Sequence, residues 1–469
     1  MVEINIKNNN QGSLSGDEWE LKLLYKAFKV KNPNAFFMRK AMPRGWDGCQ
    51  DFITKTGTFK TGLLNKIIDT CEEFKIDFEI NDHRKILEEP IIPKEVGSFV
   101  VRPYQFESVE DLLINNDRGL QHYVGVMDMA TNAGKTLLMC MIYEAFNRKH
   151  KAIMLLNSSD LFNQFKEEIP NILLDADIKF VQGKQKEFGH FTVAMVQTLS
   201  SSLKTLKSQL SEFEIVVVDE ADLANNKTYK NVISFLINTR VRVGLSGSIY
   251  KSKLAKDKMN HMSLESFIGP IKANISKKEM IELGFSSNLK ITISEGNTKK
   301  GITGYQEEYK KLITTNSDRH HKIYRRILKH KKRGRLPIVV VCQFHEHIDQ
   351  LYEYLTERMD DRIVYVHGEV KGRKSIFKDF KEGRIDILIS SFIIRRGINF
   401  PNLRVIINAA GSDSQETIIQ IMGRAEREGE GINVKYVEDF FDEGKYLKRH
   451  SKHRINYYKQ EGLKVRIKL

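Results

Sequence analysis

The stretch MDMATNAGKTLL contains the residue types that hold nucleotide phosphates. Its Gly134, Lys135 and Thr136 match the end of the phosphate-binding pattern G-x-x-x-x-G-K-[ST], whereas Met129 replaces the first glycine. Asn132 stands where such loops often have another glycine, and asparagine tolerates left-handed backbone angles better than most residues. In such a loop the lysine contacts the β- and γ-phosphates, and the hydroxyl ligates Mg²⁺. The residues predicted to bind the nucleotide here are Thr131, Asn132, Ala133, Gly134, Lys135 and Thr136.

Two adjacent acids, Asp219 and Glu220, follow the apolar run of residues 215–218. By itself such a pair more often begins a helix. In a doubly wound parallel sheet, however, ligands bind at the carboxyl ends of the strands, so these acids would lie beside the phosphate loop. Asp219 is then placed to orient hydrated Mg²⁺, and Glu220 to accept a proton from the attacking water. Together with Lys135 about 80 residues earlier, the pair indicates ATP hydrolysis.

The elements that must position these residues follow a repeating pattern from about residue 100 onward. Short apolar runs such as KAIMLLN, FTVAMVQT and FEIVVVDE alternate with longer amphipathic stretches, and LPIVVVCQ, DRIVYVHG and IDILISS begin a second series. Apolar runs of this kind are typical of strands buried on both faces of a parallel sheet. We therefore predict two tandem α/β domains, residues 96–283 and 284–469, after a small α+β domain of residues 1–95.

The charge distribution indicates a polyanionic partner. The net charge is +15 and the pI is near 9.3. Residues 22–66 contain ten basic residues against two acids, residues 319–335 contain nine and no acid, and the C-terminal stretch 445–469 contains nine and one acid. Any one run is equally well explained as a solvated face or tail, but three runs together favour contact with nucleic-acid phosphates. We treat the last run as a basic tail on the second α/β domain.

Composition and patterning exclude several other classes of protein. No apolar run reaches the ~18–20 residues of a membrane span, and the first 20 residues lack the features of a signal peptide. The four cysteines share no metal-ligand spacing, which argues against both a zinc site and a disulfide framework. We therefore expect a cytoplasmic protein that does not bind membranes and acts as a monomer.

With these motifs placed, residues 100–440 resemble the superfamily 2 helicases and translocases. In that family two RecA-like domains form the motor, and the segment VRPYQFESVEDLL resembles the part that reads adenine, with Gln105 as the reader and Arg102 and Tyr104 beside it. The segment GLSGS resembles the motif that links hydrolysis to strand movement, and SSFIIRRGINFP and QETIIQIMGRAER resemble the fifth and sixth motifs. The resemblance places Gly397 and Gln420 at the nucleotide, and Arg424 and Arg427 at the transferring phosphate, where positive charge stabilises the transition state.

The same resemblance implies a track for the nucleic-acid backbone on both α/β domains. The segments LLNSSDLFNQF and VAMVQTLSS supply it in the first domain, and VVVCQFHEHIDQL and SSFIIRRG in the second. The residues placed there are Asn157, Gln197, Thr198, Gln343, Phe344, Ser390 and Ser391.

A narrower resemblance is to the UvsW-type branch-migration helicases of large tailed phages. They carry a small N-terminal DNA-binding domain, which the stretches AFFMRKAMPRGWDGCQDFI and TFKTGLLNKIIDTCEEF resemble here. Aromatic residues interleaved with Lys and Arg can stack bases and hold phosphates. The alternative is that the aromatic residues form the core of this domain. The residues placed near DNA are Phe36, Phe37, Arg39, Lys40, Arg44, Trp46 and Lys60.

These observations lead to one hypothesis and three alternatives. The letters DEAD at Asp219–Asp222 suggest a DEAD-box RNA helicase, but Gln420 and the segment Ser246–Ser248 depart from that family's pattern. We predict an ATP- and Mg²⁺-dependent DNA helicase that acts on single-stranded, forked and junction DNA, in the host-cell cytoplasm if the chain is of phage origin. The alternatives are a duplex translocase that does not separate strands, an RNA helicase, and a nucleic-acid-binding protein that has lost hydrolysis.

Overall fold

The computed structural model groups the chain into two compact units. The first comprises Met1–Met129 and Gly134–Ile275, and the second comprises Ala130–Ala133 and Ser276–Leu469. The residues that the structure describes are 1–33, 35–38, 42, 45–114, 120–130, 133–247, 249, 255–285, 288–297, 304–395, 400, 402–412 and 434–468.

The N-terminal region is a small α+β fold around a mixed four-stranded sheet. Its strands are β1 (Val2–Ile6), β2 (Gln11–Ser15), β3 (Lys29–Lys31), β4 (Cys49–Asp51), β5 (Thr58–Lys60), β6 (Phe78–Asp82), β7 (Glu95–Val96) and β8 (Phe99–Val100). Its helices are α1 (Glu18–Ala27), α2 (Ala35–Met38) and α3 (Leu64–Glu73). The sheet order is β5-β2-β1-β6, with β6 parallel to β1, while β3 pairs with β4 and β7 with β8. Alternating residues of β1 are fully buried under α1 and α3, as expected for a sheet with one covered face.

The rest of the first unit is built on a seven-stranded, fully parallel sheet. The strands are β9 (Val124–Met129), β10 (Ala152–Leu156), β11 (Ile178–Val181), β12 (Phe191–Met195), β13 (Ile215–Asp219), β14 (Val241–Ser246) and β15 (Ile271–Ile275). The helices are α4 (Pro103–Leu113), α5 (Lys135–Glu144), α6 (Ser159–Ile172), α7 (Val196–Ser200), α8 (Lys207–Leu210), α9 (Lys227–Phe235) and α10 (Ala255–Phe267). The sheet order is β11-β12-β10-β13-β14-β9-β15. Because helices cover both faces, the central strands are apolar throughout, which is the pattern seen in the sequence.

The second unit contains another seven-stranded, fully parallel sheet. Its strands are β16 (Asn288–Glu295), β17 (Ile338–Val341), β18 (Ile363–Val366), β19 (Ile387–Ser390), β20 (Val405–Asn408), β21 (Val434–Phe441) and β22 (Lys464–Lys468). Its helices are α11 (Lys277–Glu282), α12 (Tyr305–Tyr309), α13 (Ser317–Lys331), α14 (His345–Thr356), α15 (Arg373–Lys381) and α16 (Leu447–Gln460). The sheet order is β18-β19-β17-β20-β21-β16-β22. The predicted fold class, two tandem parallel-sheet domains after a small α+β region, is confirmed.

The domain boundaries differ in detail from the sequence expectation. The units separate between Ile275 and Ser276, slightly before the boundary placed after residue 283. The N-terminal region and the first parallel sheet belong to one compact unit, so residue 95 is not a boundary between units. Among the described residues, no helix is long and apolar enough to cross a membrane.

The C-terminal stretch predicted as a basic tail is folded into the second unit. Its last strand, β22, pairs in parallel with β16 at the sheet edge. One face of α16 is buried, and Arg454 on that face donates hydrogen bonds to both carboxylate oxygens of Asp439. The expectation of a tail was wrong because the apolar residues Ile455 and Tyr458 join the core, although the other basic residues of this stretch remain at least partly exposed.

The basic run of residues 319–335 is also partly structural. Most of it forms α13, where Arg319 is fully buried and donates to Asp442 Oδ1 at 2.8 Å. Lys329 and His330 both contact Glu438 Oε1, at 2.6 and 2.8 Å. Burial raises the pKa of Asp442, and the Arg319 charge opposes that rise. Several cations that the sequence assigned to DNA phosphates therefore neutralise acids inside the fold.

The N-terminal region is fixed to the first parallel-sheet domain by hydrogen bonds from side chains to backbone carbonyls and to other side chains. The Asn10 amide donates to the carbonyls of Ile233 and Ser234 at 3.0 and 3.2 Å. Arg242 NH2 donates to Thr61 Oγ1 at 2.6 Å. These contacts satisfy buried polar groups, so the two parts of the unit dock in one defined position.

Gly62 packs tightly against the backbone of the first parallel-sheet domain. A Cβ at this position would lie 2.1 Å from the Glu265 carbonyl oxygen and 2.7 Å from that of Ser266, both in α10. We expect Gly62→Ala to lower the free energy of unfolding by roughly 1–3 kcal/mol, because rigid backbone atoms must move apart. Thermal melts should show this loss, whereas Gly368→Ala, whose Cβ meets no atom within 4 Å, should melt like the parent. Equal melting of both variants would mean that the docking is loose.

Candidate nucleotide and nucleic-acid sites

The phosphate loop leads directly into α5, whose first residue is Lys135. Gly134 caps this helix with a left-handed backbone, φ 77° and ψ 44°, which favours glycine. The first N–H groups of the ten-residue helix have no partner within the helix and favour an anion at its start. The geometry therefore suits a phosphate group next to Gly134 and Lys135.

Gln105 holds the predicted adenine-reading segment against this loop. A Cβ on Gly134 would lie 2.4 Å from Gln105 Nε2, so only glycine allows the approach. Gln105 Oε1 accepts a hydrogen bond from the Arg102 backbone N–H at 3.0 Å, and Arg102 NH1 donates to the Tyr104 hydroxyl at 3.1 Å. The structure thus places two segments together that are about 30 residues apart in the sequence. Their roles toward a nucleotide stay predictions.

Asp219 and Glu220 lie at the carboxyl end of β13, as the sequence predicted. The Asp219 side chain is buried, and burial raises its pKa while the positive charge of Lys135 opposes the rise. Glu220 adopts a left-handed backbone, φ 50° and ψ 56°, which costs a non-glycine residue about 1–2 kcal/mol. Strain of this kind is typical of sites where the direction of a side chain matters.

A third strand end contributes a polar contact to the same edge of the sheet. Ser246 is the last residue of β14, and its hydroxyl donates to Asp222 Oδ1 at 2.7 Å. Because β14 lies between β13 and β9, this contact sits between the acid-bearing strand and the strand that leads into the phosphate loop. The hydrogen bond thus joins the end of β14 to the turn that follows β13.

The oxygen ligands at this edge suit Mg²⁺. Hard cations prefer carboxylate and hydroxyl oxygens, and Asp219 and Thr136 offer one of each. The Thr136 hydroxyl donates to Glu168 Oε2 at 3.3 Å, and Glu168 Oε1 accepts from the Gln164 amide at 2.6 Å. Thr136 and Asp219 would hold the ion, which would neutralise phosphate charge during transfer.

The predicted backbone-contacting residues of the first unit are brought together at the carboxyl edge of its sheet. Asn157 follows β10 and Gln197 follows β12, and these strands are neighbours. The Gln197 amide donates to the Asn157 carbonyl at 3.2 Å, while Thr198 Oγ1 accepts from the Gly183 N–H at 3.0 Å. These side chains are at least partly exposed, so they are accessible to a strand.

In the second unit the corresponding residues follow the neighbouring strands β17 and β19. Phe344 is 46% exposed and packs edge-on against Tyr309, with ring centroids 4.9 Å apart. Gln343 Oε1 is buried without a hydrogen-bond partner among the described residues. Ser390 is fully buried and donates to the Ser391 carbonyl at 2.9 Å. A direct contact from the Ser390 hydroxyl to DNA would require this segment to rearrange.

The N-terminal candidates have different environments. Phe36 on α2 is 80% exposed, whereas Trp46 is half-buried and its Nε1 donates to the Cys49 carbonyl at 2.8 Å. The Lys60 ammonium lies over the Phe267 ring at 5.3 Å, and burial lowers its pKa, so its placement near DNA stays a prediction. The sequence analysis missed Trp19, which is 58% exposed on α1.

Several predicted site residues cannot be placed. Arg39, Lys40 and Arg44, the loop residues Thr131 and Asn132, the second-domain residues Gly397, Gln420, Arg424 and Arg427, and the side chain of Phe37 lie outside the described residues.

Two family descriptions match the chain. Residues 98–251 match "Type III restriction enzyme, res subunit", and residues 319–429 match "Helicase conserved C-terminal domain". The two matches fall on the first and the second parallel-sheet domain respectively.

Relatives and solved structures extend these matches. The ATP-dependent DNA helicase uvsW of Enterobacteria phage T4 is 27% identical over 85% of this chain and 82% of its own length. The DNA 3′-5′ helicase XPB of Kineococcus radiotolerans is 23% identical over 70% of this chain and 57% of its own. The structure of a leucine-to-valine variant of S. cerevisiae Dbp5 bound to RNA and ADP BeF3 covers 80% of this chain and 95% of its own, with 15% identity and a TM-score of 0.53, a likeness of fold.

The strand-end geometry predicts different effects for two substitutions. Lys135→Ala should reduce ATP hydrolysis by roughly 10²-fold or more, because the phosphates lose their main positive contact, yet leave DNA binding intact. Glu220→Gln should bind ATP normally and hydrolyse it about 10²–10⁴-fold more slowly, because only the proton acceptor is lost. Steady-state ATPase and nucleotide titrations would measure both, with exposed Lys55→Ala as the control. Turnover at the parent rate in Lys135→Ala would refute the phosphate-loop assignment.

Proposed function

Because the chain carries the two helicase domains of superfamily 2 and is an ATP-dependent helicase of that superfamily, we propose that it acts on DNA and remodels branched DNA. Its substrates would be forks and four-way junctions, on which it would regress, migrate or unwind branches during recombination, repair or replication. It would act as a monomer, in the cytoplasm of the host cell if it is a phage protein.

The extent of the similarity to the T4 helicase carries this proposal. Residues 98–469, which start with the first family match, make up 372 of the 469 residues, or 79% of the chain. An alignment over 85% of the chain must therefore reach into the N-terminal region. That relative is named as a DNA helicase, and the branched substrate is inferred from the resemblance of the basic, aromatic N-terminal stretch to the branch-migration helicases.

The described residues support an ordered set of steps in the ATP cycle. Gly134 and the start of α5 would bind the phosphates, and Lys135 would hold their negative charge. Bound Mg²⁺ would withdraw charge from the transferring phosphate. Glu220, held at a strained turn, would take the proton of the attacking water, and the Ser246–Asp222 contact would carry the resulting change to β14. Gln420, Arg424 and Arg427 would complete the site.

A panel of nucleic acids tests the substrate. We expect ATPase activity to be stimulated by single-stranded, forked and junction DNA more than by RNA of the same sequence. Unwinding of a forked duplex would distinguish a helicase from a duplex translocase. Stimulation by RNA alone would favour the RNA-helicase alternative. The likeness to Dbp5 is one of fold and does not favour RNA over DNA as the substrate.

The N-terminal basic stretch should select the branch. Replacing Arg39, Lys40 and Arg44 together with Gln should impair junction and fork processing severalfold and leave ATPase stimulated by single strands near the parent level, since no nucleotide contact is predicted there. The matched control replaces three exposed lysines of the same region, Lys55, Lys75 and Lys94, with Gln. Junction processing that falls equally in both variants, or in neither, would exclude this stretch as the branch-reading surface.

The Ser246–Asp222 hydrogen bond should couple hydrolysis to strand movement. We expect Ser246→Ala to keep most ATP hydrolysis but to unwind forked DNA several times more slowly, because the β14 segment no longer follows Asp222. The ratio of base pairs unwound to ATP hydrolysed measures this coupling. A parallel loss of both activities would instead assign Ser246 to the hydrolytic site itself.

A further inference from the structure

A cavity of about 770 Å³ lies within the first unit at the amino ends of its parallel sheet. Lys151, Glu214 and Arg240 line it, and each directly precedes a strand, β10, β13 or β14. The other wall comes from the N-terminal sheet, through residues 7–9 after β1 and 83–85 after β6. Because the candidate ATP residues lie at the carboxyl ends of strands that span roughly 17 Å, this cavity is a separate place on the molecule.

Two buried arginines share one carboxylate at this cavity. Arg84 donates to both oxygens of Asp82, from Nε at 2.8 Å and from NH2 at 2.6 Å. The NH2 of Arg240 lies 3.4 Å from the same Oδ2, while its Nε and NH1 have no hydrogen-bond partner among the described residues. The two arginine side chains are only 2% and 4% exposed. Leaving charged donors buried and unmet is costly, so an anion that reached these atoms would be bound favourably.

The neighbouring histidine shows how much positive charge is already present. His122 Nδ1 lies 3.2 Å from Arg84 NH1. Burial, and then the charges of Arg84, Arg242 and Arg240, hold the pKa of His122 well below its usual value. This imidazole is therefore neutral near pH 7 and adds no further cation.

The outer part of the cavity is also basic. The cavity is lined by six Lys and Arg residues and two glutamates. When Asp82 and Glu88, which pair with lining cations, are also counted, the balance is six positive charges to four negative charges. Lys149 and Lys151 pair with Glu88 and Glu212 at 2.6 Å, but such exposed pairs contribute about 0–1 kcal/mol and can exchange for a stronger anion. Lys7 forms no ion pair within the described part of the chain.

We propose that this cavity binds a phosphate group, with Arg240 as its central donor and Lys149 and Lys151 at its entrance. A planar guanidinium offers paired N–H donors that match two phosphate oxygens, and lysines add charge without fixed direction. The phosphate comes either from the backbone of a DNA arm or from a small phosphate compound. The proposal goes beyond the helicase function and does not depend on it, because its test measures binding and not ATP turnover.

Inorganic phosphate and a forked duplex are the two probes. Calorimetric titration of the full chain with inorganic phosphate, against chloride at equal ionic strength, should show binding that weakens about tenfold or more in Arg240→Gln, since one charge-assisted donor is lost. Phosphate bound at Gly134 and Lys135 would be unaffected by this change at the opposite edge of the sheet. For forked DNA, the log–log salt slope should fall by about one in Arg240→Gln if a backbone phosphate enters the cavity.

Three further variants keep the result interpretable. The double variant Lys149→Gln, Lys151→Gln tests the entrance and leaves the buried Arg84 and Arg240 unchanged. It replaces Arg240→Gln if that variant has a lowered melting temperature. Arg240→Lys keeps the charge and should recover part of the binding. Arg358→Gln removes one exposed arginine of the second unit and should match the parent.

The outcomes assign or reject the site. Loss of phosphate binding with an unchanged DNA slope assigns a small phosphate compound, and a reduced slope assigns a DNA arm. If Arg240→Gln and the lysine pair leave both phosphate affinity and the DNA slope as in the parent, the cavity holds only water and the proposal is wrong.

Discussion

The candidate ATP site depends on one topological constraint, the adjacency of β9, β14 and β13 in a parallel sheet. Parallel strands bring their carboxyl ends to one edge, so the phosphate loop after β9, Ser246 at the end of β14 and Asp219 at the end of β13 become neighbours. The sheet core is apolar on both faces, and this rigid support lets short side chains such as Ser246 and Asp222 hold a 2.7 Å contact. Strain at Glu220 is tolerated because the strand before it and the turn after it are fixed.

The large positive charge of the chain serves two purposes that the sequence cannot separate. Some cations neutralise acids inside the fold, as Arg319 does for Asp442 and Arg454 for Asp439. Others stay exposed on the outer faces of α13 and α16, where they raise the local potential that attracts polyanions. Only the second group can contribute to the salt dependence of DNA binding, so the count of 75 Lys and Arg residues overstates the number of available phosphate contacts.

The two edges of the first parallel sheet carry different sets of polar side chains. Its carboxyl edge gathers Lys135, Asp219 and Glu220, whereas its amino edge meets the N-terminal sheet around Asp82 and Arg240. The N-terminal region therefore packs against the first parallel-sheet domain through polar contacts, and its attachment is more than a linker. Asn157 and Gln197, at the carboxyl edge, are at least partly exposed.

The sequence alone determined the fold class and the strand-end position of Asp219 and Glu220, because these follow from local apolar runs and short motifs. Tertiary structure decided which distant residues meet. The contact of Gln105 with Gly134 and the shared carboxylate of Arg84 and Arg240 join segments about 30 and 150 residues apart, and no local pattern encodes such pairs. It also decided where the basic residues lie. Lys60 lies against Phe267, and the C-terminal stretch forms a helix and an edge strand. A lysine or arginine pattern looks the same whether its charge faces water, DNA or a buried acid, and only packing distinguishes these cases.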